Sequence, residues 1–134
     1  MINKLAVVTL LVRDQDEALK FYTEKLGFDK RQDQAFGPGM RWVTVAPKNQ
    51  TEVEITLLQP NAMMHGETGA REMLAMIGHQ PTWSYRTDDC RKEYETLRAR
   101  GVTFVQEPRE QPYGIEAVFQ DLYGNSASLL QPRA

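Results

Sequence analysis

Val8-Thr9-Leu10-Leu11-Val12-Arg13-Asp14 passes into Phe21-Tyr22-Thr23-Glu24-Lys25-Leu26-Gly27-Phe28, and this passage decides the fold. From Leu5 to Val12 the chain is apolar and β-branched, interrupted by Thr9, which is the composition of a strand buried on both faces. Asp14 then offers a side-chain oxygen to the free N–H groups of a helix start, and Ala18, Phe21, Tyr22 and Leu26 recur at helical spacing. Gly27 supplies the backbone freedom that stops the helix, which the pattern predicts over 15–25.

The passage returns once. Thr82 to Thr87 reads as a strand, Asp89 to Arg100 as a helix with Cys90, Tyr94 and Leu97 on one face, and Gly101 as its stop before Val102. Aligned on Gly27 and Gly101, the second helix is about one residue shorter. The first half continues through a polar stretch, Phe28 to Ala35, and a Gly37-Pro38-Gly39 turn into a strand from Met40 to Val45. A second turn at Pro47-Lys48-Asn49 leads to a strand from Glu52 to Leu58. The second half adds strands at Val102–Gln106, Ile115–Gln120 and Ser126–Gln131.

The expectation is therefore an α+β domain over 1–134, made of two βαβββ modules at about 1–60 and 80–134. A linker over 61–79 joins them, with a short helix at Ala70–Met76. A doubled fold of this kind builds its site where the halves meet, so the candidate residues lie on strands of both.

Composition bounds the function classes. With 134 residues, 41% hydrophobic, 25% charged and a net charge of -2, the chain is ordinary for a soluble protein. No basic concentration suggests a nucleic-acid partner. The first apolar run is too short to span a membrane and lacks a signal-peptide cleavage pattern, so a cytoplasmic protein with no membrane partner is expected. Cys90 is the single cysteine, which excludes an internal disulfide and a structural zinc site and reads as a small buried residue of the second helix. No GxGxxG, Walker loop or GxSxG elbow is present.

Four segments, Val8 to Asp14, Phe21 to Phe28, Leu97-Arg98-Ala99-Arg100-Gly101-Val102 and Asp121-Leu122-Tyr123-Gly124-Asn125, occur in the order that resembles the vicinal oxygen chelate superfamily. That superfamily includes glyoxalase I, bleomycin-resistance proteins and extradiol dioxygenases. The resemblance implies two modules that curl a sheet around a cavity, and a homodimer. It also implies, in metal-dependent members, four ligands on the first and last strand of each module. Carried over by position, these fall on Val7, Glu54, Thr82 and Ser128, of which Glu54 alone suits a divalent cation. His65 and His79 would need a rearranged site to help. No cofactor is expected, with a divalent metal ion as the alternative.

Strand alternation turns Leu5, Thr9, Leu11, Thr56, Leu58, Ser84, Arg86, Ser126 and Leu130 to the same side as those four positions. The lining is apolar with scattered polar groups, to which Trp42 and Tyr113 add aromatic surface, while Trp83 and Tyr85 alternate toward the helices. Tyr113, in Gln111-Pro112-Tyr113-Gly114, sits on a loop that is either a rim over the cavity or a plain hairpin connection. Glu54 is the only candidate base. It needs a partner, and the choices are a role as general base or ligand-amine anchor, with Arg86 gripping a carboxylate, or an internal ion pair with Arg86 or Arg41. The leading expectation is a metal-independent protein that binds a small organic ligand. Its alternatives are a divalent-metal-dependent lyase or dioxygenase and a lyase or isomerase with Glu54 as metal-free base.

Overall fold

In the computed structural model, which describes residues 1–133, the chain divides into two compact units, Met1–Gln80 and the part from Pro81 onward. The first unit runs β1 (Val7–Leu11), α1 (Gln15–Lys20), β2 (Asp29–Ala35), β3 (Arg41–Ala46), β4 (Glu54–Leu58) and α2 (Ala62–Met76). The second runs β5 (Ser84–Arg86), α3 (Cys90–Ala99), β6 (Thr103–Gln111), β7 (Gly114–Gln120) and β8 (Ser126–Pro132). Sheet orders are β1-β4-β3-β2 and β5-β8-β7-β6, so both units carry the same βαβββ topology and the fold class is α+β. The first strand pairs parallel with the last in each unit, and the remaining pairs are antiparallel. Among the described residues no helix is long and apolar enough to cross a membrane.

The helix starts follow from their caps. Asp14 accepts from the Glu17 N–H at 2.9 Å and Asp89 from the Lys92 N–H at 3.1 Å, so each aspartate satisfies a donor that the first turn leaves free. The caps lie 75 positions apart (89 minus 14) and the glycine stops 74 (101 minus 27), and the fold shows where the extra residue goes. After Lys20 the helix widens into a π-type turn over Phe21–Lys25, closed by the Leu26 N–H on the Phe21 carbonyl at 3.2 Å. One additional residue per turn brings both Phe21 and Tyr22 into the buried core.

The repeat extends to details that composition did not suggest. The Val12 N–H donates to the Leu58 carbonyl at 2.9 Å, and the Thr87 N–H to the Leu130 carbonyl at 2.9 Å. One residue further on, Gln59 Oε1 accepts from the Gln15 N–H at 3.3 Å and Gln131 Oε1 from the Cys90 N–H at 3.0 Å. Each glutamine ties the end of the last strand to the start of the first helix. Thr56-Leu57-Leu58-Gln59-Pro60 and Ser128-Leu129-Leu130-Gln131-Pro132 are thus the same element, visible in the sequence as a near-identical pentapeptide.

Two expectations change. The segment 61–79 is mostly helix, with Asn61 accepting from the Met63 N–H at 2.7 Å as its cap and Gly66, at φ 76 and ψ 162, breaking it into two pieces. The helical pattern was hidden because that glycine resets the phase. Phe28 to Ala35 holds strand β2, as the βαβββ order requires, and its polarity is that of a sheet edge, where charged side chains discourage further pairing. β6 is also an edge, which is why it extends through Pro108 to Gln111, well past the expected 106. Edge β1 is closed differently: Gln80 Oε1 accepts from the Leu11 N–H at 2.7 Å and its Nε2 donates to the Thr9 carbonyl at 3.1 Å, so one side-chain amide mimics a neighbouring strand.

Register sorts the side chains into two faces. In the first unit Leu10, Val43, Val45, Ile55 and Leu57 share the buried core face. In the second, Tyr85, Phe104, Phe119, Ala127 and Leu129 share the face on which α3 packs, with Tyr94 edge-on to Phe104 at 4.7 Å between ring centroids. Tyr85 stacks on Phe119 at 6.0 Å and takes a hydrogen bond from Trp83 Nε1 at 2.8 Å, in keeping with the helix-side placement read from alternation.

Candidate functional site

On the opposite face of the first sheet, register places Val7, Thr9 and Leu11 beside Glu54, Thr56 and Leu58, then Thr44 beside Thr56, with Trp42 two residues along β3. Thr9 is exposed, Trp42 and Glu54 are half-buried, and Thr44 and Thr56 are fully covered. On the corresponding face of the second sheet lie Ser84, Arg86, Ser126, Ser128, Leu130, Glu116 and Val118. Thr82 precedes β5 instead of sitting on it, because the strand shortens to three residues. The ten candidate residues therefore divide evenly, with Val7, Thr9, Trp42, Glu54 and Thr56 in the first unit and Thr82, Ser84, Arg86, Tyr113 and Ser128 in the second.

Glu54 has partners, and they are neither Arg86 nor Arg41. Its Oε1 accepts from Thr44 Oγ1 at 2.6 Å and from Gln32 Nε2 at 2.8 Å. These donors favour the charged form, the Thr44 hydroxyl most, and hold the carboxyl below its ordinary range against the opposing cost of burial. Arg41 is committed elsewhere: Nε and Nη2 both reach Asp33 at 2.8 Å, and Nη1 reaches Asp16 at 2.7 Å. The expected Glu54 to Arg41 pair fails because Trp42 intervenes on β3 and turns Arg41 to the other face. Arg86 is exposed and makes no hydrogen bond or ion pair among the described residues.

The Asp33–Arg41 fork has a testable consequence. Hydrogen bonding from Arg41 lowers the Asp33 pKa from 3.8 to about 2. A depressed folded value means the fork stabilises the native state fully above the unfolded carboxylate range, and the contribution disappears as pH falls toward 2. The side chains are 23% and 29% exposed, so solvent screening reduces the effect to on the order of 1 kcal/mol. Urea unfolding at neutral pH should show Asp33→Asn less stable than the parent by that amount, with the gap closing in strong acid.

The second sheet carries a network that residue-by-residue reading missed. Glu116 Oε2 accepts from Ser128 Oγ at 2.6 Å and Oε1 from the Tyr113 hydroxyl at 2.6 Å. The Ser128 bond most, then the Tyr113 bond, keeps the Glu116 carboxyl below its ordinary range, while Glu116 pushes the Tyr113 phenol up. The available signal was alternation: Glu116, Val118 and Gln120 take one side of β7, while Ala117 and Phe119 take the core side.

The module repeat also corrects the carry-over of metal-ligand positions. Since Leu58 matches Leu130 and Gln59 matches Gln131, the counterpart of Ser128 is Thr56, and Glu54 matches Ser126. With Ser128 kept, the fourth position is Thr56 and the set Val7, Thr56, Thr82 and Ser128 offers hydroxyls and a hydrocarbon; with Glu54 kept, its mate is Ser126 and the set holds one carboxylate. Neutral hydroxyls do not fit a divalent transition-metal site, which needs converging imidazole, carboxylate or thiolate donors. Among the described residues no three His, Cys, Asp or Glu side chains gather where they could hold an ion. His65 instead caps α2, its Nδ1 accepting from the Asn61 N–H at 3.1 Å.

The family model of the Glyoxalase/Bleomycin resistance protein/Dioxygenase superfamily matches residues 4–129. The uncharacterized protein YurT of Bacillus subtilis (strain 168) is 40% identical over 131 residues, covering 96% of this chain and 98% of its own. Among solved structures, UcmS2 aligns with a TM-score of 0.88 at 43% identity, over 98% of this chain and 99% of its own. TnmS3, an antibiotic binding protein from Streptomyces sp. CB03234, aligns with a TM-score of 0.78 at 32% identity, over 98% of each chain.

Proposed function

Because the chain belongs to the Glyoxalase/Bleomycin resistance protein/Dioxygenase superfamily, we propose that it binds a small organic molecule, of aromatic or hydrophobic antibiotic type, without a metal ion and without transforming it. The observation that carries this reading is the chemistry of the positions the resemblance opens: Val7 and Thr56 in the first unit and Thr82 and Ser128 in the second carry a hydrocarbon and neutral hydroxyls, which suit contact and weak hydrogen bonds and not coordination. Both carboxylates of the two sheet faces, Glu54 and Glu116, are engaged by hydroxyl and amide groups. The likeness to an antibiotic-binding protein at 32% identity over 98% of each chain supports the same class of ligand. In this reading the protein works in the cytoplasm as a homodimer, with no nucleic-acid or membrane partner.

Thermal unfolding against a panel of antibiotic-like compounds tests the proposal. A ligand at about a hundredfold its Kd stabilises the native state by ~2.7 kcal/mol, which is several degrees in Tm. A panel without any shift would sink the binding reading. Elemental analysis of protein purified without chelator supplies the counter-test: stoichiometric metal would replace a binder with a metal-dependent lyase or dioxygenase.

A further inference from the structure

Glu116, Tyr113 and Ser128 come together from β7, the β6–β7 turn and β8. The turn bearing Tyr113 is fastened, since the Arg133 N–H donates to the Tyr113 carbonyl at 3.0 Å and Arg133 Nη1 donates to the Pro112 carbonyl at 3.0 Å. Tyr113 is nonetheless 51% exposed, and its ring makes no aromatic contact among the described residues. A tied-down turn thus displays a bare ring whose hydroxyl is anchored to a carboxylate. Such a ring keeps its full stacking surface and loses little freedom when something lies on it.

The carboxylate has unused capacity. An ionised Glu offers about four acceptor positions, and the hydroxyls of Tyr113 and Ser128 take two. The charged and titratable neighbours are Tyr113 in the turn, Arg109 opposite Glu116 on β6, Arg86 in line on β5, and the Cys90 thiol of α3. Neither arginine forms an ion pair with Glu116 among the described residues.

We propose that Glu116 is a ligand-recognition residue, held by Ser128 and Tyr113, that accepts a hydrogen bond from a flat aromatic ligand lying against the Tyr113 ring. The inference rests on the small-molecule-binding reading above and adds to it a ligand class: planar, apolar over most of its area, and bearing a hydroxyl or a cationic N–H donor at one edge. Tyr113 and Ser128 position the carboxylate, and the ring of Tyr113 covers the ligand.

Three probes test it by titration calorimetry: anthraflavic acid, a flat diphenol kept protonated by mildly acidic buffer; its dimethyl ether, which lacks the donor; and proflavine, a flat cation. The expected result is binding of the diphenol or the cation at least about tenfold tighter than of the ether, the cost of an unmet charged acceptor. Glu116→Gln keeps the shape and removes the charge. It should weaken proflavine about tenfold or more and the diphenol about threefold, which tells a cationic N–H donor from a hydroxyl. Tyr113→Ala should weaken both about tenfold or less, with Tyr113→Phe intermediate because the ring remains.

A pH series separates recognition from mere support of the fold. In the parent, affinity should fall as acid protonates Glu116, and in Glu116→Gln it should stay flat. Equal binding of the ether, unchanged affinities in Glu116→Gln, or no binding of any probe would each overturn the inference. A panel compound of another chemistry that still raised Tm would then leave the binding reading standing while this ligand class fell.

Discussion

Gly114→Ala is expected to destabilise the protein by on the order of 3 kcal/mol or more, through two costs that add at one atom. The residue has φ +148, a backbone region that L side chains rarely adopt, and a Cβ built there would lie 2.1 Å from the Gln131 carbonyl oxygen. Backbone atoms of β8 cannot swing aside as a side-chain end would. The β7–β8 pairing at Gly114↔Pro132 and Ile115↔Gln131 has to open for the methyl group to fit. Gly69→Ala is the control, because its nearest neighbour to an added Cβ is His65 Cβ at 3.6 Å, an ordinary contact in a helix. That exchange should be neutral or stabilise by up to ~1 kcal/mol. Paired urea titrations read the difference directly, and a Gly114→Ala protein as stable as its parent would mean the hairpin end is not packed as described. The turn that carries Tyr113 ends at this glycine, so the variant should also lose whatever binding depends on the ring.

Why some of this was legible in the chain and some was not follows from what each element needs. Strand β1 and helix α1 announce themselves because burial demands Leu10, Leu11 and Val12 on one element and Ala18, Phe21 and Tyr22 on the next, and Asp14 and Gly27 punctuate them. The same devices at Asp89 and Gly101 made the doubling visible, and the family membership followed. Even the one-residue mismatch between the helices was readable, although only the fold shows it absorbed in the π-type turn after Lys20. Edge strand β2 was obscure because it buries little and so carries no apolar rhythm. The site was less legible for a different reason. Glu54 stands out in the sequence as a lone carboxylate, but its partners Thr44 and Gln32 lie on other strands and are set by register, which alternation alone does not supply. Glu116 is inconspicuous in the sequence for the same cause, since the donors that mark it come from the adjoining strand and from a turn. The matching pentapeptides ending in Gln59-Pro60 and Gln131-Pro132 would have fixed the module alignment, and with it the place of Thr56.

Phe119→Ala should be the most damaging single truncation in the second unit, at about 3–5 kcal/mol. Phe119 is 2% exposed and is the hub of an aromatic run, with Tyr85 at 6.0 Å on one side and Phe104 at 5.7 Å on the other, while Phe104 meets Tyr94 of α3 at 4.7 Å. Removing the ring deletes the aromatic contacts that Phe119 of β7 makes with Tyr85 of β5 and Phe104 of β6, and the void is lined by side chains that are themselves held: Tyr85 by Trp83, and Tyr94 by the stacked guanidinium of Arg98. A cavity with fixed walls collapses little, which places the cost toward the upper end of the range. Phe119→Leu keeps most of the volume and should cost less than about 1.5 kcal/mol. Against a total stability of roughly 5–15 kcal/mol, the alanine variant removes a third or more, whereas the leucine variant remains folded at ordinary temperature. The fluorescence of Trp83 in a Trp42→Phe background reports the event locally, because its indole N–H is tied to the tyrosine that stacks on Phe119. If Phe119→Ala unfolded at the parent's urea midpoint with the same Trp83 signal, the aromatic run would not be what holds this sheet to its helix. Glu116 lies on the same strand but on the opposite face, so the leucine variant should keep the ligand affinity of the parent while the alanine variant, by loosening β7, should not.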